Sequence, residues 1–549
     1  MTTLSRAITA AAVGVSVWPR WLMPTLAGVG FVLLWGLPTI IVPLATDQAQ
    51  FSLGARAVLA GDQLYGDIWD IKPPLIYLIY AIPFALAGEH MEAIRVLDLV
   101  NTALAMGAIF LLTRRLFNQR AAMIAAGFYG FTYLTWARVD GLAEAESFMA
   151  APLALAFFLY RPEGGRRGTG LLAIASGAAL GAAFVTKTSA VPFVLGLPLA
   201  ELLWRHRDGW TLRGAVQRLT LAALGFLLVL GAVAGYLGGG GVLDDYIDIQ
   251  RHYTVPYNAF RWSPVELSHP RFLLQVTADW IKSTAFLVVP AAVAIFFALR
   301  QPRHATGAYF MASLAILGVL GIWWQGKMFR YHWLIMFPLL APLAGYAVDR
   351  TLGLFSPLAW REAWAARALL LGGLLVLAFQ PLADTYDGYR TLVSRADGSL
   401  SRREAETRYE PLLSANHELV DFVRLNGDAD DSLFIWGFWP IAHFWADRPL
   451  VSRFVVNSGL RATWAPESWR QELMEDLRSA PPRFVAVARG DDQPWLAGTS
   501  QTSDEHLRDS FVELRGFLEE QYLLVRDLGL FVLYERTAQG EQGAVSAAP

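Results

Sequence analysis

Long apolar runs constrain the fold of this 549-residue chain more than any other feature. About eleven of them approach the length of roughly 20 residues that a helix needs to cross a bilayer. Hydrophobic residues make up 55% of the chain and charged residues 17%, a balance typical of a protein surrounded by lipid. We therefore predict a polytopic α-helical membrane protein with spanning helices near residues 22–45, 94–113, 121–136, 147–160, 170–186, 188–204, 219–237, 283–299, 306–325, 331–348 and 368–383.

The loops between these runs differ in charge. One set is basic and comprises "RRLFNQR", "RPEGGRR", "RHRDGWTLRGAVQR" and "RQPRH". The alternate loops carry acids instead, among them Asp47, Asp70, Glu89, Asp140, Glu144 and Asp244. Because Lys and Arg concentrate in cytoplasmic loops, we predict a plasma (inner) membrane protein with a cytoplasmic N-terminus and outward-facing acidic loops. Residues 1–21 are then an uncleaved anchor.

The character of the sequence changes after about residue 384. Strand candidates "SLFIWGF", "RFVAVA" and "LGLFVLYE" alternate with amphipathic helices such as "ESWRQELMEDLR" and "DEHLRDSFVELRGFLEEQ". We predict a transmembrane domain over residues 1–384, a soluble α/β domain over 385–538 and a disordered tail over 539–549. An odd number of spanning helices places the soluble domain on the outer side.

The first outer loop, residues 46–93, contains two apolar pieces that are too short to span. They are "DQAQFSLGARAVLAG" and "PPLIYLIYAIPFALAG", and we expect them to lie in the membrane interface. Pro73 and Pro74 suit the start of the second helix, whose positive dipole end points toward Asp70 and Lys72. This arrangement predicts a pocket at the membrane surface.

Composition excludes several kinds of function. The chain has no Cys, and its nine His residues include no close pair at metal-ligand spacing, so no zinc centre is predicted. A formal net charge of −2 gives no basic field for nucleic acid.

Three ordered motifs carry a family resemblance: "TDQAQF", "LAGDQLYGDIWDIKPPLIY" and "GEHMEAIRVLDLVNTAL". In this order they resemble the C-type polyprenyl-phosphate-sugar glycosyltransferases, especially the protein mannosyltransferase and lipid A aminoarabinose transferase relatives of families 39 and 83. The resemblance implies a C-type glycosyltransferase fold with Asp47 as catalytic base, Lys72 and Lys187 near the donor phosphate, and Asp140 at the outer mouth. Many relatives have two adjacent acids at the first motif, whereas Gln48 follows Asp47 here.

The chain's four lysines support a phosphate site independently of the resemblance. Lys72, Lys187, Lys282 and Lys327 all fall at predicted outer boundaries, in a sequence that otherwise uses Arg. A compact ammonium group suits a lipid phosphate at that depth, although boundary lysines also extend toward headgroups without binding a ligand. Arg56 and Arg330 either clamp the same phosphate or anchor their helices.

Other candidates have structural alternatives. Asp140 and Glu144, spaced i and i+4, can share a helix face as catalytic acids, but the outward loops are acidic in general. Tyr331 either contacts substrate or belongs to the interfacial aromatic belt. Trp436, Trp439 and Trp445 form either a sugar platform or part of a buried core.

We predict a membrane hexosyl- or pentosyltransferase. It would move a monosaccharide from a polyprenyl-phosphate donor to a hydroxyl of a lipid, glycan or protein acceptor on the outer face, with inversion. No cofactor is required, and a divalent cation near Asp47 and Asp140 stays open. One alternative is a transporter or flippase of lipid-linked saccharides, which would place charges near the bilayer midplane between matching broken helices. Another is a sensor with a ligand-binding outer domain.

Overall fold

The computed structural model describes residues 22–162, 169–207, 209–264, 266–300, 302–355 and 360–537. The predicted anchor at residues 1–21 and the predicted tail at 539–549 lie outside these ranges.

The described residues between 22 and 409 are mainly helical. The α-helices are α1 (Leu22–Gly36), α2 (Thr46–Ala60), α3 (Leu75–Ala87), α4 (Met91–Leu116), α5 (Gln119–Trp136), α6 (Arg138–Gly141), α7 (Ala145–Leu159), α8 (Thr169–Thr186), α9 (Gly196–Trp204), α10 (Leu212–Gly239), α11 (Leu243–Ile249), α12 (Val255–Ala259), α13 (His269–Ser283), α14 (Ala285–Arg300), α15 (Pro302–Gln325), α16 (Phe337–Leu354), α17 (Trp360–Leu377), α18 (Phe379–Ala396) and α19 (Arg402–Tyr409). Shorter turns of 3₁₀-helix occupy Leu37–Ile41, Thr188–Leu195 and Arg330–Met336, and a π-helical turn occupies Gln250–Thr254.

All eleven predicted apolar runs coincide with helix. By length and composition, five helical segments of the described chain are able to cross a membrane: 91–116, 169–186, 212–239, 305–325 and 330–354. The number rises to eight if each of three bent pairs counts as one span: 27–41 with 46–60, 269–283 with 285–300, and 360–377 with 379–396. Shorter apolar helices lie at 75–87, 145–159 and 188–204.

Glycines let two helices of the bundle pack with their backbones in contact, and apolar side chains cover the outside of the bundle. A Cβ atom at Gly177 of α8 would collide with the Ala222 carbonyl of α10, and one at Gly225 would collide with the Ile174 carbonyl. Small residues of this kind let two membrane helices approach closely. Leu104 and Leu171 are exposed on the outside of the bundle, as expected for side chains in contact with lipid.

The C-terminal part forms a small α/β unit. Its helices are α20 (Leu413–Asn426), α21 (Pro440–Ala446), α22 (Ser458–Arg461), α23 (Glu467–Ser479), α24 (Pro494–Ala497), α25 (Ser503–Asp509) and α26 (Val512–Gln521). The strands are β1 (Leu433–Trp436), β2 (Phe484–Ala488), β3 (Tyr522–Asp527) and β4 (Phe531–Arg536), in the order β1-β2-β4-β3. β1 and β2 are parallel, and the other pairs are antiparallel. Three strands fall on the predicted segments.

The first loop and the C-terminal unit share one hydrophobic core. Phe51, Tyr77 and Tyr80 from α2 and α3 belong to the same buried cluster as Trp436 and Trp469. The opposite face of the sheet packs against α20 in a smaller cluster. The two parts are therefore joined by packing, and the cavity described next lies where they meet.

Candidate active site

A cavity of about 290 Å³ lies between the first loop, the ends of the helical bundle and the C-terminal unit. Its lining includes six of the residues predicted from the sequence: Asp47, Lys72, Asp140, Glu144, Lys187 and Tyr331. Segments that are far apart along the chain therefore bring carboxylates, ammonium groups and aromatic rings into one chamber.

Lys72 and Asp47 form an ion pair at the centre of this cavity. The Nζ atom of Lys72 lies 3.1 Å from Oδ2 of Asp47, and the two side chains are only 11% and 13% exposed. Asp47 lies in the first turn of α2, where the helix dipole favours a negative charge. Burial alone would lower the pKa of Lys72, but Asp47, Asp70 and Glu144 together raise it. Lys72 is therefore a fixed positive charge, and it stabilises the ionised form of Asp47.

Asp70 is a second carboxylate beside Lys72. Its Oδ1 accepts the Ile71 N–H at 2.6 Å, whereas its Oδ2 is buried without a hydrogen bond of good geometry within the described residues, and the nearby Tyr77 hydroxyl favours the charged carboxylate. Burial raises the pKa of Asp70, and Lys72 opposes this effect. The Oδ2 atom is thus a hydrogen-bond acceptor at the cavity wall.

Lys187 is the second ammonium group of the cavity. It follows α8, forms an ion pair with Glu146 and lies over the ring of Tyr331, with Nζ 4.8 Å from the ring centroid. The side chains of Lys187 and Glu146 are 10% and 2% exposed. Glu146 was not among the residues predicted for the site, although "AEAES" places it two residues after Glu144.

Glu144 is held next to Asp47 by Gln48 and Arg95. The Gln48 Nε2 atom donates to the Val139 carbonyl at 2.9 Å and lies 3.5 Å from Glu144 Oε1. Arg95 in turn donates to Gln48 Oε1 at 2.9 Å. Burial raises the pKa of Glu144 well above its usual range, and Asp47 raises it further. Of these two carboxyl groups, Asp47 is the one that forms the ion pair with Lys72.

The backbone before Glu144 has a strained conformation that several hydrogen bonds hold in place. Ala143 has a φ of 61°, a left-handed value that residues other than glycine seldom adopt. Its N–H donates to the Tyr133 hydroxyl at 3.0 Å, and its carbonyl accepts from the Tyr80 hydroxyl at 2.7 Å. Arg95 donates to the Leu142 carbonyl at 2.9 Å. This network fixes where the Glu144 side chain enters the cavity.

Three predicted phosphate ligands do not line the cavity. Arg56 pairs with Glu89 at 2.6 Å and with Asp447 at 3.0 Å, so it joins the first loop to the C-terminal unit. Arg330 lies over the Trp136 ring, 4.1 Å from its centroid. Lys327 donates to the Phe260 carbonyl at 2.7 Å, and burial together with Arg261 lowers its pKa to about 8.

The predicted tryptophan platform is also absent from the lining. Trp436 is fully buried and donates to the Ser503 carbonyl at 3.0 Å, and Trp445 stacks on His417 with ring centroids 4.3 Å apart. Trp69 and Trp495 line the cavity instead. Trp69 lies within the motif "LAGDQLYGDIWDIKPPLIY", whereas Trp495 stands in no pattern that distinguishes it from the other tryptophans.

The residues present do not provide a set of metal ligands. Within the described parts of the chain, no group of three or more His, Cys, Asp or Glu side chains could hold a metal ion. Asp47 is paired with Lys72, so the described residues give no support to a divalent cation near Asp47 and Asp140.

Comparisons with known proteins agree with one another. The family described as dolichyl-phosphate-mannose-protein mannosyltransferase matches residues 71–234. An undecaprenyl phosphate-alpha-4-amino-4-deoxy-L-arabinose arabinosyl transferase 2 from Pseudomonas fluorescens is 27% identical over 226 residues. The match covers 38% of this chain and 37% of the relative, so the chain spans just over a third of that relative's length.

Two solved structures share the architecture. ArnT from Cupriavidus metallidurans, bound to undecaprenyl phosphate, has a TM-score of 0.59 at 14% identity and covers 94% of this chain and 98% of its own. The apo oligosaccharyltransferase from Archaeoglobus fulgidus has a TM-score of 0.51 at 12% identity and covers 85% and 69%. At these identities the likeness establishes the fold. The partial family match, the partial relative match and the shared fold all support the C-type polyprenyl-phosphate-sugar glycosyltransferase superfamily for this chain.

Proposed function

We propose that this protein transfers a monosaccharide from a polyprenyl-phosphate donor to a hydroxyl of a lipid, glycan or protein acceptor, with inversion, on the outer face of the plasma membrane. The observation that carries the proposal is the convergence of two buried lysines and the Asp47 carboxylate in one cavity. A reaction of this kind needs cations for the departing phosphate and one base for the acceptor hydroxyl.

The reaction divides among these groups as follows. The acceptor oxygen forms a bond to the anomeric carbon while the bond from that carbon to the phosphate oxygen breaks. The proton of the acceptor hydroxyl moves to Asp47, and the electron pair leaves with the polyprenyl phosphate. Lys72 has three N–H donors and uses one for Asp47, so the others are able to reach a phosphate oxygen. Lys187 supplies the second positive charge.

The comparison proteins support the class of donor. The ArnT structure is described as bound to undecaprenyl phosphate, and the Pseudomonas relative is named for an undecaprenyl-phosphate sugar. We carry only the polyprenyl phosphate over to this chain and leave the sugar and the acceptor open. No cofactor takes part in the proposed steps. The transporter alternative is not carried forward, since the matched family and relative are both named as transferases.

A direct test uses the purified full-length protein in nanodiscs. It is incubated with undecaprenyl-phosphate hexoses and pentoses and a cell-envelope lipid and glycan extract. We expect release of undecaprenyl phosphate with one of the donors, together with a product heavier by that one sugar. Mass spectrometry of cell-envelope glycans with and without the gene identifies the product in the cell. Movement of an intact donor across the membrane without cleavage would contradict the proposal.

A further inference from the structure

The C-terminal unit lines one side of the cavity, and we call this side the roof. Phe438 follows β1 and Trp495 follows β2, and both line the cavity together with Ser458 and Leu496. Because β1 and β2 are parallel, the segments after them lie at the same edge of the sheet. The carboxyl ends of parallel strands are the usual place for a ligand in an α/β unit. The roof therefore comes from the edge where such units bind small molecules.

A buried polar network fixes the roof. Asp491 Oδ2 accepts the Phe438 N–H at 3.1 Å, and Asp491 Oδ1 accepts the Ser503 N–H at 2.9 Å. Gln493 donates to Asn457 at 3.0 Å, which connects the Trp495 loop to the segment that carries Ser458. Since these groups are buried and mutually hydrogen-bonded, the roof residues are held in place before a ligand enters.

Trp495 presents an available aromatic side chain to the cavity. It is partly buried and makes an edge contact with Phe329, with ring centroids 5.3 Å apart. Among the described residues, its indole N–H has no hydrogen-bond acceptor, unlike that of Trp436 in the core. Its indole N–H is therefore free to donate to a ligand, and its ring forms part of the cavity lining.

The wall below the roof carries unpartnered polar atoms. Trp69 Nε1 and Asp70 Oδ2 are buried and make no hydrogen bond of good geometry within the described part of the chain. Leaving such groups unpaired is unfavourable, so they point to a ligand that supplies hydrogen bonds. A donor and an acceptor beside aromatic rings match a ring that has apolar faces and hydroxyl groups at its edge, which is the chemistry of a sugar.

We infer that Trp495 is a specificity-determining residue that stacks on the transferred sugar, with Trp69 and Asp70 hydrogen-bonding its hydroxyls. The inference rests on the proposed function, which places the donor phosphate at Lys72 and Lys187. The transferred sugar is bonded directly to that phosphate, and the roof residues line the same cavity as Lys72 and Lys187. The C-terminal unit therefore selects the donor sugar.

The test compares binding of two probes to the full-length protein in nanodiscs. One probe is undecaprenyl phosphate, and the other is undecaprenyl phosphate carrying one sugar, from a panel of common hexoses and pentoses. Wild type should bind at least one loaded donor more tightly than the bare lipid. Trp495→Ala should weaken that binding about tenfold and change binding of bare undecaprenyl phosphate less than twofold. Trp495→Phe, which keeps an aromatic face, should restore most of the loss.

Trp445→Ala serves as the matched control, because Trp445 lies in the same unit, is also partly buried and does not line the cavity. It should leave binding of both probes unchanged. Equal weakening of both probes by Trp495→Ala, no weakening at all, or no wild-type preference for any loaded donor would overturn the inference alone. Failure of wild type to bind bare undecaprenyl phosphate would instead overturn the proposed function.

Discussion

Lys72 and Lys187 are the two lysines whose charges face the cavity, and each contacts a buried carboxylate. Charge interactions are stronger there than in water, because the low-dielectric surroundings screen them weakly. Two lysine ammonium groups that keep their charge and still have unused N–H donors are suited to bind a phosphate. Lys282 differs: it is 76% exposed and pairs only with Asp279, three residues earlier.

Replacing either cavity lysine should weaken binding of the lipid phosphate. Lys72→Gln and Lys187→Gln each keep a polar side chain and remove one charge. We expect each to weaken binding of undecaprenyl phosphate about ten- to hundredfold, the value of one charge-assisted hydrogen bond. Lys282→Gln is the control and should bind normally. Melting temperatures report whether each variant is folded, and normal binding by both cavity variants would leave the phosphate site without support.

His443 should make stability depend on pH. It is buried, and burial lowers its pKa from 6.5 to about 4. Between these values the unfolded chain binds a proton that the folded chain does not, so the free energy of unfolding falls as the pH falls. The loss is of order 3 kcal/mol by pH 4. The melting temperature of His443→Gln should therefore decline less steeply than that of wild type over this range, and parallel curves would refute this assignment.

The sequence predicts some of these residues and not others for a physical reason. Asp47, Lys72 and Lys187 stand at helix ends beside apolar runs, where an ion is costly without a role. Arg56 stands in a similar place, but its partners include the Phe444 carbonyl, 388 residues along the chain. No local pattern shows such a contact. The same limit applies to Trp495, whose role depends on which strand edge faces the bundle.

The segment from 138 to 144 is the element on which the catalytic geometry depends most. It joins α5 to α7, contains left-handed φ values at Arg138 and Ala143, and carries Asp140 and Glu144. Strain of this kind persists only where surrounding contacts fix the backbone. Tyr80 and Tyr133 supply those contacts through the polar groups of Ala143.

Removing the hydrogen bond between Tyr133 and Ala143 should reduce turnover more than it weakens binding of the donor. Tyr133→Phe deletes the hydroxyl that accepts the Ala143 N–H and donates to Asp98 at 2.7 Å. Because Glu144 lies beside the proposed base Asp47, a displacement of this segment by about 1 Å that shifts the base should reduce turnover by about a hundredfold, while Lys72 and Lys187 stay in place. Tyr129→Phe is the control, since within the described residues the buried Tyr129 hydroxyl has no hydrogen-bond partner. Equal kinetics for both variants and wild type would show that the hydrogen bond between Tyr133 and Ala143 is not needed for turnover.

Hydrophobic periodicity is enough to predict most elements. All eleven apolar runs and the strands β1, β2 and β4 are found where the sequence places them. β3 is not among the predicted strands: it begins directly after α26 with no turn residue between them, and only its first residue, Tyr522, is buried. The number of helices that cross the membrane is harder to predict, since a bend such as the 66° one between α17 and α18 divides the single predicted run 368–383.

At the scale of the whole molecule, the first loop and the C-terminal unit act as one body around the cavity. They share a hydrophobic core and are connected by the Arg56 ion pairs. The backbone N–H of Trp69 also donates to the Arg453 carbonyl at 2.8 Å. From the sequence alone, the outer domain from about residue 385 is expected to shape acceptor choice rather than donor chemistry, because the predicted phosphate and base residues all precede it. Its roof residues instead line the same cavity as Asp47. The boundary at residue 384 stays a prediction.

A substitution at Gly459 tests how closely the first loop packs against the C-terminal unit. A Cβ atom there would lie 2.7 Å from the buried ring of Trp69. Gly459→Ala should lower the free energy of unfolding by about 1–3 kcal/mol and reduce turnover, because Trp69 lines the cavity. Gly516→Ala is the control: nothing lies within 4 Å of its Cβ position, and alanine favours the helix α26. A lower melting temperature for Gly459→Ala than for Gly516→Ala is expected, and equal values would argue against tight docking.

Turnover of Asp47→Asn tests the central claim most directly. The amide keeps the size of the side chain but cannot accept the acceptor's proton, and a positioned general base contributes about 10² to 10⁴ in rate. We expect turnover to fall by about two orders of magnitude or more, with binding of undecaprenyl phosphate equal to or tighter than wild type. Asp62→Asn, which removes an exposed acid of the same loop, should have near-normal turnover. Near-normal turnover of Asp47→Asn in folded protein would contradict the role of Asp47 as the base.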